Sequence, residues 1–174
     1  ANRNKKSVTV NIASPEGQEI IREIAKGCDV FMENYKVGDL KRYGLDYESL
    51  AALDPRLVYC SITGFGQTGP YRERAGYDFM IQAMGGLMSI TGEPGGSPVK
   101  MGISVADIGS GMFGAIGVLM ALEARHRTGS GQRVDTSLLE GQVAMLSYHF
   151  AAFFATGRAP QPMGSSAQGL VPYQ

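Results

Sequence analysis

One hundred and seventy-four residues, 44% hydrophobic and 18% charged, suffice for one domain with a buried core and exclude a disordered chain. Sixteen basic residues balance sixteen acidic ones, so no global field attracts nucleic acid or an anionic membrane surface. Cys28 and Cys60 have no CxxC partner and read as two reduced core thiols rather than a disulfide.

Along the chain, Ser7 to Ile12 alternates polar and apolar β-formers and predicts a strand. Ser14-Pro15-Glu16 supplies an N-cap, a proline at the first helical position and an early acid. The helix that follows should set Ile20, Ile21 and Ile24 on one face and end at Gly27. Val30 to Met32 is the next strand, Asn34 to Gly38 a turn, and Asp39 to Tyr43 a short helix closed by Gly44. Asp46 to Leu53 reads as a helix stopped by Asp54-Pro55, and Leu57 to Ile62 as a third strand. Tyr77 to Met88 is a helix interrupted by Gly85-Gly86, and Thr91 to Pro98 is a loop. A long helix starts at or near Asp107 and runs to Arg127; Gln132 to Thr136 is a strand, and Ser137 to Thr156 a last helix. This alternation predicts an α/β fold, a parallel sheet with flanking helices.

Residues 158–174, rich in proline, glycine and serine, read as a linker beyond a domain spanning 1–157. The polar start, ANRNKKS, carries no secretory signal, which predicts a cytoplasmic protein, and the chain begins and ends like a piece of a longer one. The uncharged run Ile108 to Leu122 is fifteen residues, short of the ~20 that a spanning helix needs, so no membrane is expected. His126 and His149 show no metal-ligand spacing; one reads as a helix-end cation, the other as an ordinary helical residue. The nine methionines are scattered and read as core filler.

Gly64 to Gly69 contains G-x-G-x-x-G directly after the third strand, the pattern of a dinucleotide-binding crossover. The context fails. Gly69 opens a charged loop, Pro70 to Gly76, instead of a helix whose amides could hold a pyrophosphate. No acid ends a second strand about twenty residues later. The glycines therefore read as a tight-turning loop at the C-terminal edge of a strand.

Another pattern is more specific. NRNKKSVTVNI, CDVFMENYKVGDLKRYGL, DPRLVYCSITGFGQTGP, RAGYDFMIQAMGGLM, GISVADIGSGMFGAIG, RTGSGQRVDTSLLE and VPYQ, in this order, together resemble the class III CoA-transferases. That family includes formyl-CoA and carnitinyl-CoA transferases and the related α-methylacyl-CoA racemases. The likeness covers essentially the whole chain and implies part of a Rossmann-like large domain, incomplete and lying before a small domain. NRNKKS, CDVFMENY, the RAGYD region and VPYQ look most like members acting on dicarboxylates, of the succinate–hydroxymethylglutarate type.

From its residues alone, Asp107 is an acid at a helix start, where a carboxylate serves as an N-cap. The resemblance assigns it instead the family's nucleophile, which attacks an acyl-CoA thioester and passes through a mixed anhydride and an aspartyl-CoA thioester. No permanent cofactor or metal is implied; CoA is substrate and carrier. A glycine-rich loop that shields these intermediates in the family would lie beyond Gln174.

Tyr77 stands thirty residues before Asp107, where the racemases carry a histidine. A phenol titrating near ~10 is a poor proton shuttle at neutral pH, which favours transfer over racemisation. Read alone, Tyr77 is a half-buried aromatic at a helix start, and the adjacent Asp78 either polarises the pocket or caps the helix. Asn34, Tyr35, Lys36, Arg42, Tyr43 and Arg74 match positions that contact CoA, and arginine suits phosphate. Lys36-Val37-Gly38 departs from the usual R/K-P-G, and Ala13 stands where many relatives have a lysine.

The resemblance further implies acyl-CoA and carboxylic acid substrates and an interlocked homodimer. The alternatives are an acyl-CoA racemase or epimerase of the same family, or a non-catalytic segment that binds CoA or only dimerises.

Overall fold

The computed structural model describes residues 2–167, 169–170 and 172. The VPYQ stretch falls largely outside them. Three parallel strands form one sheet in the order β1 (Val30–Glu33), β2 (Val58–Thr63) and β3 (Arg133–Ser137). Val30 is level with Val58 across the first pair, and Tyr59 with Arg133 across the second. Around the sheet lie α1 (Pro15–Lys26), α2 (Tyr47–Leu53), α3 (Asp78–Met84), α4 (Val105–Thr128), α5 (Leu138–Met145) and α6 (Ser147–Thr156). The α/β architecture expected from the alternating pattern is present.

Local chemistry sets most boundaries. Ser14 Oγ accepts from Gly17 N at 3.1 Å, and Pro15 follows it as the first residue of α1. Gly44 (φ +63°) and Gly129 (φ +78°) take the left-handed conformation that ends the Lys41–Tyr43 3-10 turn and α4.

Five expectations are corrected. Ser7 to Ile12 has the alternation of a strand, yet the segment pairs with nothing in the sheet, and alternation without a neighbour does not make one. On α1, Ile20 and Ile24 are half-exposed, while Gly17 and Ala25 are buried and Ile21 packs on the core. The helix expected to run to Met88 stops at Met84, because Gly85 caps it and Gly86 turns to φ +87°. The last helix is two, broken at Leu146, with α6 leaving Phe154 exposed. Cys60 is buried as expected, but Cys28 is exposed on the turn after α1, where its Sγ donates to Ile24 O.

Two cores sit on the sheet. One gathers Ala25, Leu40, Leu45, Leu50, Leu57 and Tyr59 beneath α1 and α2, with the Tyr59 hydroxyl donating to Leu45 O at 3.0 Å. The other joins Ile81, Ala106 and Leu138, which fixes α3, α4 and α5 against each other. By length and composition alone the 24-residue α4 would suffice to cross a membrane, since it extends past its uncharged run. Here one side of it lies on the sheet through its glycines: a Cβ on Gly114 would meet Ile62 Cδ1 at 3.2 Å, and one on Gly117 would meet Val134 Cγ1 at 2.7 Å.

The glycine motif after β2 has a steric explanation. A Cβ on Gly64 would fall 2.5 Å from Gly76 Cα, so the two backbones touch, while Gly66 (φ +84°) and Gly69 (φ +83°) hold left-handed turns. The loop folds back to bring Gly76, and with it Tyr77, against the end of β2.

Candidate active site

At the C-terminal ends of the strands, where α/β folds bind ligands, lies a cleft of about 560 Å³. Asn34 to Val37 follow β1 along one wall, Ile62 and Thr63 end β2 with Gly64 just beyond, and the loop from Arg72 to Tyr77 forms a lip with Asp78 at the start of α3. Asp107 and Gly111 of α4 and Leu138 of α5 complete it. Six of the eight residues singled out in the sequence thus line one space: Asn34, Tyr35, Lys36, Arg74, Tyr77 and Asp107. Tyr77 is 71% exposed, more open than the half-buried aromatic expected from its residue type. Arg42 and Tyr43 lie outside the wall; Arg42 stacks over the Tyr43 ring at 4.7 Å and pairs with Asp39 at 3.9 Å.

Asp107 is exposed, in the first turn of α4, and it is not the cap of that helix. Ser104 holds the N-cap position without a side-chain bond. The cap comes from another helix: Asp78 Oδ1 accepts from Ala106 N at 2.8 Å and from Asp107 N at 3.4 Å. Asp78 therefore caps a neighbour twenty-eight residues away, which no local pattern reveals. Partial burial, and then the Asp78 charge, hold the Asp107 carboxyl above the usual carboxylate range. A carboxylate of raised basicity that lines a cleft and has no partner among the described residues is suited to nucleophilic attack.

The lip carries positive charge. Arg74 stacks on the Tyr71 ring at 4.1 Å, and Tyr71 meets Phe65 edge-on. Arg72, which the sequence reading passed over, lines the same cleft and pairs with Glu73; its signal was only a cation in a charged loop. Neither histidine lines the cleft. No group of three His, Cys, Asp or Glu side chains among the described residues could hold a metal ion.

A parallel α/β sheet whose C-terminal edge gathers a carboxylate and basic side chains in one cleft suits acyl-transfer chemistry on an anionic substrate. A model of CoA-transferase family III matches residues 1–174, so the chain belongs to that family. It is 46% identical over 173 residues to a succinate–glutarate CoA-transferase of Agrobacterium fabrum, covering 99% of this chain and 43% of that protein. It is also 46% identical over 174 residues to the human succinyl-CoA:glutarate CoA-transferase, covering 99% and 40%. A crystal structure of a CAIB/BAIF family protein from Brucella suis superposes with a TM-score of 0.93 at 48% identity, over 98% of this chain and 45% of that one. The chain thus spans less than half the length of the relatives it matches.

Proposed function

We propose that a full-length protein carrying this segment is a CoA-transferase, which moves CoA from a dicarboxylic acyl-CoA, with succinyl-CoA as the donor, to a second carboxylic acid. The observation that carries this reading is Asp107 exposed in the lining of the cleft, its main chain held by Asp78 and its side chain without a partner among the described residues. Relatives named for succinate and glutarate support the substrate class.

In the proposed reaction an Asp107 oxygen attacks the thioester carbonyl; the C–S bond breaks and CoA leaves as thiolate, giving a mixed anhydride. The thiolate attacks the aspartyl carbonyl of the anhydride, releasing the first acid and forming an aspartyl-CoA thioester. The acceptor carboxylate attacks that thioester and expels the thiolate, which then attacks the acceptor's acyl carbonyl and regenerates Asp107. One thioester replaces another, so the energy of the C–S bond is conserved without a nucleotide. Asn34, Tyr35, Lys36 and Arg74 would bind CoA along the walls. Arg42 and Tyr43 would serve only beyond the cleft. The family's interlocked homodimer is part of the proposal, and the exposed Ile108, Met112, Ile116 and Leu119 on α4 offer an apolar face for it.

Racemisation is the weaker reading because Tyr77, and no histidine, occupies the cleft. The test is incubation of the full-length protein with succinyl-CoA and a panel of dicarboxylates, followed by hydroxylamine or borohydride trapping and mass spectrometry. New CoA esters and a modification at Asp107 are expected; exchange retained in Asp107→Ala would end the assignment. Solvent deuterium entering the α-carbon without acid exchange would instead support the racemase.

A further inference from the structure

We propose that Gln82 is a positioning residue for the nucleophile and acts through Asp78, an inference that rests on the transfer reaction proposed above. Gln82 lies one turn after Asp78 on α3 and is 0% exposed. A buried primary amide is costly unless both of its ends are paired. Here they are. Its Nε2 donates to Asp78 Oδ2 at 2.6 Å and to Ile103 O at 3.4 Å, and its Oε1 accepts from Met101 N at 2.9 Å.

These bonds join three parts of the chain into one clasp. The Met101–Ile103 segment, which leads into α4, is held to α3 by the Gln82 amide. The same amide fixes one oxygen of Asp78, and the other oxygen takes the Ala106 and Asp107 amides. Since Ser104 supplies no side-chain cap, Asp78 is what pins the first turn of α4. Gln82 in turn sets which way Asp78 faces. Without it, Asp78 can rotate, its charge moves relative to Asp107, and the turn bearing Asp107 loosens. Methionine matches glutamine in length but would leave Asp78 Oδ2 and Met101 N without their partner, while Ile103 O would keep only Val105 N. Glutamate could still accept from Met101 N but would set a second carboxylate against Asp78.

Small displacements of an attacking group are expensive: about 1 Å of misplacement can cost on the order of 100-fold in rate. In the full-length enzyme, Gln82→Met should lower kcat for CoA exchange between succinyl-CoA and glutarate by about 10- to 100-fold. The KM for succinyl-CoA should stay within about twofold, because Asn34, Tyr35 and Lys36 lie on another wall and Arg74 is held by its stack on Tyr71 rather than by the clasp. Asp78→Asn should lower kcat as well, and the double variant should lose little more than the worse single one, since both changes break the same clasp.

Unchanged kcat in Gln82→Met, or losses that multiply in the double variant, would overturn the proposal. If Gln82→Met does not fold, Gln82→Glu decides instead: a comparable fall in kcat at neutral pH supports the clasp, and wild-type turnover refutes it. Hydrogen exchange at the Ala106 and Asp107 amides supplies a readout that needs no turnover. Should the wild type exchange no CoA, the transferase reading fails, while faster amide exchange in the Gln82 variant still supports the clasp and unchanged exchange rejects it.

Discussion

Gly64→Ala separates a steric role for the glycine motif from a nucleotide-binding one. The new Cβ would lie 2.5 Å from Gly76 Cα and 2.6 Å from Gly76 N, whereas carbon atoms pack comfortably at about 3.5–4.0 Å. The two backbones must therefore part by about 1 Å. Neither moves freely. Gly64 O accepts from Leu139 N at 3.2 Å at the end of β2, and Gly76 leads directly into Tyr77 and the clamped Asp78. Overpacking costs about 1–3 kcal/mol, and backbone meeting backbone belongs at the upper end. For a domain of about 150–250 residues about 3 kcal/mol lowers Tm by about 6–12 °C, and for the longer full-length protein by less. The kcat for CoA exchange should fall with it, because Tyr77 and Asp78 shift with Gly76. Gly27→Ala is the control: its φ is −96° and its Cβ would meet only Ile24 O at 3.6 Å, so it should stay within about 0.5 kcal/mol of wild type. Thermal melting by circular dichroism and chromatographic assay of CoA esters, both on full-length protein, read the two effects. Unchanged melting and unchanged kcat in Gly64→Ala would refute the close-contact argument.

Asp107→Asn should abolish exchange while leaving the fold intact, since the side chain makes no hydrogen bond among the described residues; normal melting with no new CoA ester is the expected pair of results. The raised Asp107 pKa means that the native state holds this proton more tightly than the unfolded chain does. Its ionisation therefore costs stability as pH rises through the native value, and Asp107→Asn should be slightly the more stable protein at neutral pH, as read by urea unfolding at several pH values. The acid limb of kcat should lie above the ordinary aspartate range and move to lower pH in Asp78→Asn, which removes the facing charge; a fixed limb would count against the Asp78 contribution. Arg125→Ala should destabilise by about 3 kcal/mol, because its buried guanidinium binds Asp29 Oδ1 at 2.7 Å and Arg56 O at 3.0 Å. Melting should fall while kcat per folded molecule holds, as Arg125 sits at the far end of α4 from the cleft.

Legibility in the sequence followed the range of each interaction. The start of α1 was readable because Ser14 and Pro15 act within one turn, and the end at Gly44 because left-handed backbone favours glycine. Six cleft residues came from the family resemblance; composition and spacing alone would have left Asp107 a helix cap. Interactions across the fold had no local sign. Asp78 caps a helix that begins far along the chain, Arg125 reaches Asp29 across ninety-six residues, and Gly64 is glycine because of Gly76. Ser7 to Ile12 failed in the opposite sense, since its local pattern was right and its strand neighbour was missing. The break at Leu146 carries neither proline nor glycine, and nothing in the sequence would have revealed it.

The cap on α4 has one more consequence. Helix starts commonly offer bare amides and a positive pole to an arriving anion, but here Val105 N is taken by Ile103 O, and Ala106 N and Asp107 N by Asp78. The pole beside Asp107 is already neutralised, so an alkoxide formed there would find no free donor in that turn. Donors for it must come from outside that turn, where Lys36, Arg72, Arg74 and the Tyr77 hydroxyl line the same cleft, so the helix pole serves to hold Asp107 in place and leaves the oxyanion to side chains.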